Sequence, residues 1–126
     1  MAIADTSFLI DLGRGKDSAV RVAERLASEG QFIRVPAPVL FELAAGSPAG
    51  LDEKRRTLVE HFEALPFNGE HAERSGRVYK ELRDKGADVG PLDAMIAGTA
   101  LVEEEAVLTA NVKDFSKVAG LKVLGY

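Results

Sequence analysis

Four short apolar runs constrain the fold of this chain more than any other feature: Ala2 to Ala4, Phe32 to Val35, Ala106 to Leu108 and Leu121 to Leu124. Each is long enough only for a strand, and stretches with helical periodicity separate them. Strands joined through helices need crossovers. Those crossovers are right-handed and give a mainly parallel sheet covered on both faces. The expected fold class is α/β, one domain over residues 1–126 with a central sheet of about five strands. In such a sheet the ligand crevice lies beyond the carboxyl ends of the strands, where Asp5 and the group after Leu108 should fall.

The intervening stretches predict the helices. Ser7 to Gly13 and Lys16 to Gly30 read as helix, the second with Ala19, Val22, Ala23 and Leu26 on one face. Pro38 suits the first turn of a helix running to Gly46. Leu51 to Leu65 reads as one charged amphipathic helix. Asn68 is the expected N-cap of the next helix, with Ala72, Ser75, Tyr79 and Leu82 inward and Gly86 as its stop. Gly90-Pro91 opens a very apolar helix that Glu103-Glu104-Glu105 closes.

Composition narrows the chemistry. No cysteine is present, so disulfides, thiolate zinc sites and a cysteine nucleophile are excluded. His61 and His71 lack the spacing of a zinc pair, which leaves oxygen ligands and therefore Mg²⁺ or Mn²⁺ as the metals to consider. A net charge of −4 argues against a surface that attracts polyanions everywhere, although acids gathered around cations can present a locally positive site. No stretch has the length of a membrane span. The opening MAIADTSFLI has no basic segment and meets an acid at Asp5, so a cytoplasmic location is expected.

Four acids stand in apolar surroundings. Asp5 ends the first strand, Glu42 interrupts VLFELAA, Asp93 precedes MIAGTALV, and Asp114 follows the third apolar run through LTANVKDF. On helical spacing Asp93 lies over Ala97 and Ala100, the inward face. Taking an ionised carboxylate out of water costs several kcal/mol, roughly, unless it is paired or binds a cation. No Lys or Arg is spaced to pair these acids locally, so a divalent ion is the economical partner. Each acid also has an ordinary reading: Asp114 in a capping box with Asn111, Asp93 complementing a helix dipole, Asp5 in a turn, Glu42 half exposed.

At these residues the chain resembles PIN-domain proteins, and more narrowly the VapC-type toxins of prokaryotic toxin–antitoxin pairs. The resemblance is carried by ADTSFLIDL, PAPVLFELAAG, GPLDAMIAGTAL and VLTANVKDF with GLKVLGY, in the family's order. By position the family's acidic quartet falls on Asp5, Glu42, Asp93 and Asp114, with Thr6 and Asn111 at accessory polar positions. The resemblance implies a Mg²⁺- or Mn²⁺-dependent endoribonuclease, a homodimer, and neutralisation by a VapB-type antitoxin.

On that reading Asp5 and Asp93 are the central metal ligands, Asp114 and Glu42 complete the site partly through water, and Thr6 and Asn111 hold the ligands in register. Arg14, Lys16, Arg74, Arg77 and Lys80 are the candidate RNA contacts, each of which also fits an ordinary solvated helix face. Three other readings stand beside it. His61 and His71 could act as a metal-independent base and acid, although both read more simply as surface residues of amphipathic helices. The fold could serve as a catalytically silent RNA- or partner-binding module. A receiver-like Mg²⁺-binding signalling domain would need an adjacent acidic pair after the first strand, where this chain has Thr6-Ser7.

Overall fold

The computed structural model describes residues 1–46, 50, 52–87 and 89–126. Its elements follow in the order β1 (Ala2–Ala4), α1 (Thr6–Gly13), α2 (Asp17–Ser28), β2 (Ile33–Pro36), α3 (Ala37–Ala45), α4 (Glu53–Glu60), β3 (Glu63–Leu65), α5 (Gly69–Asp84), α6 (Pro91–Glu103), β4 (Ala106–Leu108), α7 (Val112–Phe115) and β5 (Val123–Leu124). All pairings are parallel and the order across the sheet is β3-β2-β1-β4-β5. Ala2 lies opposite both Ile33 and Ala106, which puts β1 at the centre. All three of its residues are buried because helices cover both faces, and that is why the run has no polar alternation.

The chain winds outward from β1 through β2 to β3, then returns to place β4 on the other side of β1. Right-handed crossovers put α1 to α4 on one face and α5 and α6 on the other. The reversal occurs between β1 and β4, so the crevice of the sheet opens beyond their carboxyl ends, at Asp5 and Thr109. A receiver-like module instead places its first strand between its second and third. Here β1 lies between β2 and β4, and the topology removes that alternative.

Two sequence expectations need correction. The helix expected over 51–65 ends at Glu60, and Glu63–Leu65 forms the edge strand beside Arg34–Pro36; its expected start at Leu51 lies outside the described residues. The run EAL is too short to show alternation, and its exposed Glu63 sits at a sheet edge, where a charge is tolerated. The inward stripe of α5 is also rotated: His71, Ser75, Val78 and Leu82 are buried, whereas Ala72 is exposed and Tyr79 half-buried. His71 is therefore a core residue. Its Nδ1 accepts from the Asn68 N–H at 3.1 Å, so Nε2 carries the proton and donates to Glu103 Oε2 at 3.0 Å. Asn68 returns the bond by accepting from the His71 N–H at 3.0 Å, which closes the N-cap expected at this position. Among the described residues no helix is long and apolar enough to cross a membrane.

Helices α5 and α6 pack so closely that one position admits only glycine. A Cβ on Gly98 would stand 2.2 Å from Ser75 Oγ and 2.5 Å from Ser75 Cα. The Ser75 hydroxyl donates at 2.7 Å to the His71 carbonyl and lies 3.3 Å from the Met95 carbonyl of α6, so it is held at the contact. Gly98→Ala must push the helix pair apart. A loss of about 2 kcal/mol in unfolding free energy is expected, since overpacking outweighs the better helix propensity of alanine. Urea denaturation, read as a fall in midpoint at unchanged slope, checks this.

Candidate active site

Asp5 is the best-fixed residue of the crevice. It follows β1 and caps α1, and it is only 3% exposed. Its Oδ1 accepts from the Phe8 N–H at 3.0 Å and from Ser7 Oγ at 2.7 Å. Its Oδ2 accepts from Thr109 Oγ1 at 2.5 Å, a bond that ties the end of β1 to the end of β4. The Ser7 and Thr109 hydroxyls are themselves fixed, accepting from the Ala110 and Asn111 N–H groups at 3.0 and 2.8 Å. Burial raises the Asp5 carboxyl above its ordinary value, against the lowering effect of the Thr109, Phe8 and Ser7 bonds.

The other acids approach from three helices. Asp93 stands in the first turn of α6, half-buried. Its carboxyl is pushed up to about 6 by burial first, then by the charges of Glu42, Asp5 and Asp114 in that order. The sequence-predicted quartet therefore shares one electrostatic site, and all three companions press on Asp93. Glu42, half-buried on α3, accepts from Thr6 Oγ1 at 2.8 Å. Asp114 lies on α7 and, contrary to the expectation that it has no local partner, receives Lys117 Nζ at 3.3 Å on the exposed side. Asn111 occupies the N-cap position of α7 but makes no side-chain cap bond, so a capping box with Asp114 does not form.

Among the described residues no three acidic or histidine side chains close into a preformed metal cage. The carboxylates whose partners are seen lean on hydroxyls or on Lys117. The donor set is all oxygen. It suits a hard divalent cation that keeps part of its water and does not suit zinc.

The basic candidates separate. Arg74 and Arg77 on α5 line a shallow pocket with Glu70, Glu73, Leu101, Val102 and Glu104. Leu101 is eight residues beyond Asp93, roughly 12 Å along α6. Lys80 is exposed and paired with Asp84 at 2.6 Å. Arg14 lines a groove of about 580 Å³ between α1 and α4, with Leu9, Leu12, Leu43, Leu58 and Phe62. Lys16 lies 3.8 Å from Asp11 and 5.9 Å from the centre of the Tyr126 ring.

Sequence reasoning assigned no site role to Ser7, Thr109, Asp11 or Tyr126. Thr109 carried a faint signal as a hydroxyl directly after a strand end, and Ser7 as one in the first turn after β1. Tyr126 carried none, because only the fold brings it against Phe8, edge to face at 5.5 Å, where its hydroxyl donates to Asp11 Oδ2 at 2.6 Å.

Comparison with known proteins identifies the family of the chain. The PIN domain model matches residues 2–121. Ribonuclease VapC1 of Rickettsia felis is 35% identical over 130 residues, covering 97% of this chain and 93% of that protein. The tRNA(fMet)-specific endonuclease VapC of Salmonella typhimurium is 30% identical over 113 residues, 86% of each chain. Among solved structures, DNA-bound VapBC from Salmonella typhimurium contains a chain that matches with a TM-score of 0.82 at 29% identity, covering 98% of this chain and 96% of that one.

The raised Asp93 carboxyl has a consequence for stability. An unfolded aspartate titrates near 3.9. Between about 4 and about 6 the metal-free folded protein therefore binds more protons than the unfolded chain, and Asp93 makes stability fall as pH rises through that window. Asp93→Asn removes this penalty. The variant is expected to exceed the parent by about 1–2 kcal/mol at pH 7, allowing for solvent screening, with the gap closing below pH ~4. Paired urea titrations in EDTA across that range measure it.

Proposed function

Because the chain belongs to the PIN-domain family, and within it to the VapC-type proteins, we propose that it is a Mg²⁺- or Mn²⁺-dependent endoribonuclease acting at Asp5, Glu42, Asp93 and Asp114. The observation that carries this reading is the Asp93 carboxyl, held near 6 by burial and by three other carboxylates. A half-buried acid pressed in this way is destabilising by itself and is relieved by a doubly charged ion.

Asp5 and Asp93 would hold the metal most directly, with Glu42 and Asp114 completing or orienting the site. When bound, Mg²⁺ or Mn²⁺ supplies water activation, neutralisation of the phosphate and stabilisation of the departing oxygen. The remaining work falls to the chain. Thr109 and Ser7 fix both oxygens of Asp5 before any ligand arrives, so little ordering remains to be done on binding. Thr6 orients Glu42 through the 2.8 Å bond. The first turn of α6 presents Asp93 at a helix N-terminus, where the dipole favours its ionised form once repulsion is relieved.

The same reading makes this chain the toxin of a type II pair, with RNA as substrate and a VapB-type antitoxin as partner. The Salmonella VapBC assembly supports a bound partner chain, and the apolar groove between α1 and α4 offers a surface for it. A homodimer completes the proposal. Phe41 on α3, 63% exposed beside Glu42, is the anchor proposed for the second copy.

Cleavage of a mixed RNA pool that includes tRNA tests the function. The parent should cut in Mg²⁺ or Mn²⁺ and stop in EDTA; Asp5→Asn and Asp93→Asn should lose roughly 100-fold or more. His61→Ala should cut like the parent, since His61 is exposed and its Nδ1 lies 2.7 Å from the Thr57 carbonyl oxygen. Cleavage that persists in EDTA and vanishes in His61→Ala would replace the metal reading with a histidine one. For assembly, light scattering should show a dimer for the parent and a monomer for Phe41→Asp.

A further inference from the structure

An acidic crevice repels the strand it is proposed to cut, so at least one fixed cation must meet the RNA backbone at its rim. The structure selects among the candidates. Arg74 and Arg77 sit beside the far half of α6 among Glu70, Glu73 and Glu104. Lys80 is committed to Asp84, and Arg14 faces the apolar groove along α4. Lys16 alone of the five is joined to the acid cluster by a continuous set of contacts. Its ammonium lies over the Tyr126 ring at 5.9 Å and 3.8 Å from Asp11. Tyr126 bonds Asp11 and packs on Phe8, whose N–H is bound by Asp5. Asp11 and Phe8 both stand on α1, the helix that Asp5 caps, so the platform is fixed to the element that begins at the crevice.

We propose that Lys16, seated on the Tyr126 ring and tethered by Asp11, is the contact for an RNA phosphate flanking the scissile bond. This rests on the ribonuclease reading and adds to it the residue that receives the backbone. Lys16 is 56% exposed at its side chain, so its ammonium is open to a ligand, while Asp11 and the Tyr126 ring limit where it can sit. Asp11 is half-buried and already holds the Tyr126 hydroxyl, which leaves it a weak competitor for the lysine charge. Tyr126 is a positioning residue here: it supplies the ring on which the ammonium rests and acts on RNA only through Lys16.

The test is binding of a fluorescein-labelled single-stranded RNA of mixed sequence to the full chain in the non-cleaving Asp93→Asn background, followed by anisotropy over a range of salt. Lys16→Met should weaken binding about 5- to 10-fold at low salt. It should also lower the slope of log K against log salt by about 0.7, the value for one lost phosphate contact on a single strand. Lys16→Arg should restore both. Tyr126→Ala should reproduce the Lys16→Met slope, and Arg25→Met, in the last turn of α2, should keep the parental slope. In the cleaving background Lys16→Met should raise KM more than it lowers kcat. If Lys16→Met binds RNA with the parental affinity and slope, this proposal is overturned while the ribonuclease reading stands. If the parent neither binds nor cuts RNA, the proposed function falls and takes the lysine contact with it.

Discussion

The crevice depends on one hydrogen bond, from Thr109 to Asp5, between residues 104 apart in sequence. It joins the carboxyl ends of β1 and β4, the two strands between which the winding of the sheet reverses. Asp5 is also the N-cap of α1, so one carboxylate satisfies a helix terminus with one oxygen and a neighbouring strand with the other. A residue bound in both directions cannot swing away when its charge becomes inconvenient. The remaining acids are brought to it by the first turns of α6 and α7 and by the second half of α3.

That arrangement places stability and chemistry in opposition. A fold optimised only for stability would pair Asp93 or replace it with a neutral residue. Here it is left half-buried among three like charges, and its carboxyl rises to about 6 as a result. The surrounding core offsets the strain. Ile3, Phe8, Leu9, Ile96, Val107 and Leu108 are fully buried on β1, α1, α6 and β4, the elements that lead to or carry Asp5, Asp93 and Thr109. Stored electrostatic strain on a rigid support is what a site needs if a cation is to bind with large gain and little rearrangement.

The α/β class, the parallel sheet and the four acids were legible in the sequence because each rests on local pattern: apolar runs of strand length, helix periodicity, and acids where apolar residues should stand. Features set by tertiary contact were not. The edge strand Glu63–Leu65 continues the periodicity of the helix before it, and only pairing with β2 makes it a strand. His71 looks like a surface residue until Glu103, 32 positions away, supplies the acceptor for its ring. Lys117 as partner of Asp114 was legible in principle, at a spacing of three, but α7 is too short to announce itself as a helix. The relation of the basic residues to the crevice was beyond any pattern, since Lys16 and Tyr126 meet only when β5 closes against β4.

The two ends of α6 show most directly that the acid cluster is not an accident of composition. At its carboxyl end Glu103 and the following Glu105 lie 2.8 and 2.6 Å from Arg34, and Glu103 also takes a bond from His71. The His71 and Arg34 bonds hold Glu103 below the usual carboxylate range. At the amino end, Asp93 meets three more acids, and its carboxyl shifts the opposite way. The chain has 16 lysines and arginines. It places Arg34 where a half-buried acid serves the fold, and the charges that act on Asp93 are all negative. One helix thus carries acids of both kinds, neutralised at the end that is purely structural and under mutual repulsion at the end that opens to the crevice. The difference lies in the partners supplied, and the all-oxygen donors gathered at the crevice end suit the hard, doubly charged ion proposed for them.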